Sequence, residues 1–229
     1  MERDVIIACD FANKKQFDYF LSRFKGEKLF LKIGYQLFYA TGPNFIKKLI
    51  NDGWRIFLDL KLHDIPHTVE QGIKNLASLG VHFITIHAAG GMKMMEAAVR
   101  GIAGSHTKIL AVTQLTSINQ TILEQELLID RKITDVVHHY AVNALQAGVH
   151  GVICSALESR YIKEKISNHL ICVTPGIRLN ESKDDQSRIV TPKEAHDNKA
   201  DYIVVGRPII KANDSIKAYH LYKKEFLGY

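Results

Sequence analysis

Eight short apolar runs recur along the 229-residue chain, each followed by a longer segment of helical period or a loop. The runs are VIIACD (5–10), LFLKIG (29–34), WRIFLDLK (54–61), HFITIHA (82–88), KILAVTQL (108–115), GVICSA (151–156), LICVTP (170–175) and YIVVGR (202–207). In PHTVEQGIKNLASLG (66–80), Val69, Ile73, Leu76 and Leu79 fall on one helical stripe. Pro66 stands near its start, and Gly80 is placed as its C-cap. Strict alternation of strand and helix implies parallel pairing, since parallel neighbours are joined by crossovers. Eight such units in a chain of this length predict an α/β fold, a single (βα)8 TIM barrel with residues 1–229 as one domain. A doubly wound open sheet is the alternative architecture, but its GxGxxG phosphate fingerprint is missing.

Composition narrows the function classes. The formal charge is +6, yet the basic residues are scattered, with pairs such as Lys47-Lys48 and Lys223-Lys224 the densest pieces. Nucleic-acid binders concentrate such charge, so an anionic small-molecule substrate fits better and no nucleic-acid partner is expected. Cys9, Cys154 and Cys172 each sit in a strand-like run at no metal-ligand spacing. They read as buried reduced thiols in a cytoplasmic protein. The opening MERDVIIACD is too charged for a signal peptide, and no uncharged apolar run approaches a membrane span.

The charges in the first three runs carry the functional argument. Side chains of a strand alternate between the barrel interior and the helix layer. In the third run Ile56, Leu58, Leu60 and Leu62 share the outward parity, which leaves Asp59 and Lys61 with Phe57 on the inward one. The same count turns Val5, Ile7 and Cys9 outward and Asp10 inward, and turns Leu29, Leu31 and Ile33 outward and Lys32 inward. Asp10, Lys32, Asp59 and Lys61 therefore converge at the C-terminal mouth, where barrel enzymes keep their active sites. Two structural ion pairs plugging the barrel are the plainer reading of the same residues. Asp64, just before Ile65-Pro66, fits a cap for the next helix or a member of the charged group equally well.

Barrels often bind phosphate after strands seven and eight, which here end TPGIR and VVGRP. Gly176 and Gly206 allow close backbone approach to an anion, and Arg178 and Arg207 offer forked, charge-assisted contacts. A solvated loop arginine is the plainer reading of Arg178. The polar stretch 176–192 is placed as a lid whose Gln186 reaches the same phosphate. His63, His67, His87, His138 and His139 match no metal-ligand spacing. The ammonium groups of Lys32 and Lys61 would repel a divalent ion, so no metal is expected.

DLKLHDIPHT (59–68), LKIG (31–34), VTQLTS (112–117), PGIR (175–178) and VVGR (204–207), in this order, resemble the orotidine 5'-phosphate decarboxylase family of the short bacterial type. The similarity runs from Asp10 to Arg207. The DxKxxD element alone is shared with sugar-phosphate decarboxylases and aldolases; LKIG, LTS and PGIR are more specific. The resemblance implies decarboxylation of orotidine 5'-monophosphate without a cofactor, with Lys61 as proton donor in a network with Lys32, Asp59 and Asp64. It also implies a homodimer in which Asp64 and Thr68 reach the partner's site. Asp10 and Lys32 then contact the ribose side, Thr116 and Ser117 the base, and Arg178, Gln186, Gly206 and Arg207 the lid and phosphate. Two rivals are a magnesium-dependent barrel acting on keto-sugar phosphates and a barrel that only binds a nucleotide.

Overall fold

The computed structural model describes residues 3–179 and 189–229. The eight runs form β1 (Asp4–Ala8), β2 (Phe30–Gly34), β3 (Arg55–Leu62), β4 (Phe83–His87), β5 (Lys108–Val112), β6 (Gly151–Ile153), β7 (Ile171–Thr174) and β8 (Tyr202–Val205). All pair in parallel in sequence order, and β8 pairs with β1 to close the barrel. The alternative of an open sheet is thereby excluded. Among the described residues the connecting helices are α1 (Lys14–Ser22), α2 (Tyr35–Thr41), α3 (Pro43–Asn51), α4 (Pro66–Ala77), α5 (Met92–Gly101), α6 (Gln120–Gln125), α7 (Ile133–Gln146), α8 (Ala156–Tyr161), α9 (Pro192–Asp197), α10 (Arg207–Ile210) and α11 (Ser215–Leu227).

Strand parity separates two cores. Ile6, Ala8, Phe30, Phe57, Phe83, Leu110, Ile171, Val173 and Val204 pack together inside the barrel. Val5, Ile7, Cys9, Leu29, Leu31, Ile33, Ile56 and Leu58 pack against the helices. The interior is thus packed by aromatic and branched side chains, with the buried Asp4 paired to Arg55 at the N-terminal end of the strands. The three cysteines are buried thiols outside any disulfide. Among the described residues, no helix is long and apolar enough to cross a membrane.

Two local expectations change. The strands stop short of the ends of the runs, so Asp10 lies beyond β1 and Arg207 opens α10. Helix α4 starts with Pro66 at its first turn as expected, but its C-cap is Ser78 and not Gly80. The N–H groups of Leu79 and Gly80 close tighter turns onto Leu76 and Ala77, and Gly80, at φ +83°, then bends the chain toward β4.

Candidate active site

Four charged side chains form one unbroken chain of ion pairs at the mouth. Lys32 Nζ lies 3.2 Å from Asp10 Oδ1 and 3.2 Å from Asp59 Oδ2. Lys61 Nζ lies 2.7 Å from the other oxygen of Asp59. Signs alternate along the chain, which lets buried charges persist. Burial works against both central groups, and pairing outweighs it. Asp59 and Asp10 hold the Lys32 ammonium above the ordinary lysine pKa despite burial. Burial raises the Asp59 carboxyl, but Lys32 and Lys61 bring it below the usual carboxylate range. Asp59 and Lys32 are therefore charged across the neutral range.

Lys61 reaches this network, as its parity predicts, from an irregular stretch of β3. The β3–β4 ladder runs in register to Leu58↔Ile84 and resumes only at Leu62↔Ile86. Asp59, Leu60 and Lys61 thus stand opposite Thr85 alone, a bulge that breaks the expected regular strand. Lys61 takes φ +44°, a left-handed conformation that a side chain other than glycine adopts at a cost of about 1–3 kcal/mol. Its backbone N–H donates to Thr85 Oγ1 at 2.9 Å, and that hydroxyl donates to Asp59 Oδ1 at 3.0 Å.

The network lines a cavity of about 330 Å³, within the range for small-ligand sites. Asp10, Lys32, Asp59, Lys61, Thr116, Ser117, Arg178, Gly206 and Arg207 all line it. Arg178 is half-buried, not the solvated loop residue of the plainer reading. It is tied down through its backbone N–H to Val190 O (2.9 Å) and its guanidinium to Ile177 O (2.8 Å). Gly176 has φ +79° and turns the chain after β7. A Cβ on Gly206 would lie 3.3 Å from Ala8 Cβ, so this wall of the cavity has little room for a side chain.

Other expected residues do not join the cavity. Asp64 and Thr68 are exposed, and among the described residues Asp64 pairs with no cation. Its carboxylate accepts the N–H of Ile65 at 2.6 Å, while Ile65 itself is the N-cap of α4 and carries no side-chain cap bond. The capping role is therefore only approximated. Gln186 lies outside the described residues. His87 ends β4, with its ring centroid 5.4 Å from that of His63. Burial, then His63 and Lys61, lower its pKa, which favours the neutral ring.

Three nearby residues were not singled out from sequence. Gln114 lines the cavity, and its shared parity with Leu110 and Val112 was the available signal. Tyr35 sits with its ring centroid 5.8 Å from Lys61 Nζ. Thr85 shares the inward parity of Phe83, so a polar residue there was legible, but its partners were not.

Comparisons with known proteins bear on the fold and the family. Residues 3–222 match the family model described as Orotidine 5'-phosphate decarboxylase / HUMPS family. A Bacillus mycoides protein named orotidine 5'-phosphate decarboxylase is 44% identical over 235 aligned positions, covering 100% of this chain and 99% of its own length. A Bacillus cereus protein of the same name is 43% identical with the same coverage. The crystal structure of orotidine 5'-phosphate decarboxylase from Lactobacillus acidophilus superposes with a TM-score of 0.89 at 43% identity, covering 98% of this chain and 99% of that one.

Proposed function

The chain belongs to the orotidine 5'-phosphate decarboxylase / HUMPS family, and from that membership we propose that it converts orotidine 5'-monophosphate to UMP and CO2, the last step of de novo pyrimidine nucleotide synthesis. The observation that carries the mechanism is the alternating Asp10–Lys32–Asp59–Lys61 chain at the barrel mouth. Breaking the C6–carboxylate bond leaves its electron pair on C6, in the ring plane, where the π system delocalises it poorly. No cofactor takes up those electrons in this reading, so fixed charge must stabilise them. The Lys61 ammonium supplies that charge, transfers its proton to C6 and is reprotonated from solvent. Each 1.36 kcal/mol of selective stabilisation is worth about tenfold in rate, so several pre-set charges are needed.

Asp59, held ionised by its two lysines, faces the departing carboxylate in this scheme. Arg178, Gly206 and Arg207 hold the phosphate with Gln186, while Thr116 and Ser117 approach the base. Phosphate binding at the far end of the cavity offsets the cost of bringing charges together. The working form is a cytoplasmic homodimer acting as one catalytic domain per chain, with Asp64 and Thr68 lent to the partner's site. Their exposure, with that of neighbouring Ile65 (66%), supports this role. Both oxygens of Asp59 face ammonium groups, which favours this reading over a magnesium-dependent reaction on keto-sugar phosphates.

The deciding experiment is ultraviolet absorbance of orotidine 5'-monophosphate mixed with the purified protein in excess EDTA. Conversion to the UMP spectrum is expected. No conversion with EDTA, but turnover of a keto-sugar phosphate with magnesium, would replace this reading with its rival.

A further inference from the structure

Asp59 and Lys61 face one cavity from a single strand, and the bulge in β3 takes the Lys61 N–H out of the ladder. A buried N–H without a partner is costly. Thr85 Oγ1 accepts it at 2.9 Å. A hydroxyl has one proton to give, and here it goes to Asp59 Oδ1 at 3.0 Å. Thr85 has no solvent exposure, so water does not compete for either bond. The same Asp59 oxygen takes Lys61 Nζ at 2.7 Å, and the other takes Lys32 at 3.2 Å. A single side chain on β4 thus holds the backbone root of Lys61 and the carboxylate that meets its tip.

We infer that Thr85 is a positioning residue for decarboxylation: its hydroxyl fixes the bulged Lys61 backbone and the Asp59 carboxylate as one unit. The inference rests on the proposed role of Lys61, and its test has an arm independent of activity. Thr85→Val keeps the shape and removes both bonds. Its kcat is expected to fall about 10- to 100-fold with KM changed less than about threefold, and Thr85→Ser is expected to regain most of the loss. Wild-type kcat in Thr85→Val, or Thr85→Ser as impaired as Thr85→Val, would overturn the inference.

The second arm is amide hydrogen exchange in the ligand-free protein. Exchange at the Lys61 N–H should accelerate at least about tenfold in Thr85→Val, with Ile56 and Leu58 unchanged and Thr85→Ser near wild type. If the valine variant does not fold, Thr85→Ala removes the same hydroxyl with a smaller side chain and is read the same way. Unchanged Lys61 exchange in the folded variants overturns the inference whatever the activity. Accelerated exchange in a protein that leaves orotidine 5'-monophosphate untouched keeps the positioning and removes only the functional reading.

Discussion

Asp59 is the shared counter-ion of two lysines, so its removal exposes the electrostatics of the site most directly. In Asp59→Asn, Lys61 loses its partner, while Lys32 keeps Asp10 at 3.2 Å. Breaking a buried pair costs about 3–5 kcal/mol, and the remaining Asp10 contact places this variant near about 3 kcal/mol. The pH dependence follows from the directions of the shifts. The folded pKa of Asp59 is depressed, so its contribution is present above the unfolded value of about 3.9 and is lost as pH falls through the folded value. That of Lys32 is raised, so its contribution is present below about 10.4 and is lost as pH rises through the folded value. Urea denaturation should therefore show a constant gap between wild type and variant from about pH 5 to 9, closing on both sides. A gap that changes steadily across neutrality would contradict the assignment. At the other end of the cavity, Arg207→Ala should raise KM by at least about tenfold while kcat changes less, as expected for the loss of a charged contact remote from the reacting carbon. An unchanged KM would remove Arg207 from the phosphate site.

Among the elements, the α4–α5 pair shows which kind of contact holds the rim in place. Gly101 ends α5 against α4, and a Cβ there would lie 2.7 Å from Glu70 O and 3.0 Å from Ile73 Cβ. Neither neighbour is the free end of a flexible side chain, so Gly101→Ala must push the helices apart. Overpacking of this kind costs about 1–3 kcal/mol. The Arg100–Glu70 ion pair (2.8 Å) links the same helices at the surface, where such pairs contribute about 0–1 kcal/mol. Thermal melts should thus show a drop of several degrees for Gly101→Ala and a smaller one for Arg100→Ala. The reverse order would mean that charge, not close packing, sets this interface. The helix itself was legible in the spacing of Val69, Ile73, Leu76 and Leu79. Its end was not, because the short turn after Ala77 is set by how the chain enters β4.

For the whole molecule, the proposed sharing of Asp64 predicts complementation between defective chains. Lys61→Ala should bind nucleotide but not turn over, and Asp64→Ala should be strongly impaired. Refolding the two together gives about half mixed dimers, each with one intact site, so about a quarter of wild-type activity should return. No recovery in verified mixed dimers would keep Asp64 within its own chain. The eight-unit barrel, the outward and inward parities of β1 and β2, and the convergence of Asp10, Lys32, Asp59 and Lys61 at one end were legible in the residue order. These follow from periods of two and 3.6, which are local properties of the chain. The assembled barrel alone shows that Lys61 arrives through a bulge with φ +44°, that Thr85 supplies the missing acceptor, and that Gln114 and Tyr35 stand beside the charges. Those features depend on the register between neighbouring strands and on contacts between residues far apart in sequence, and no periodicity within one strand encodes them.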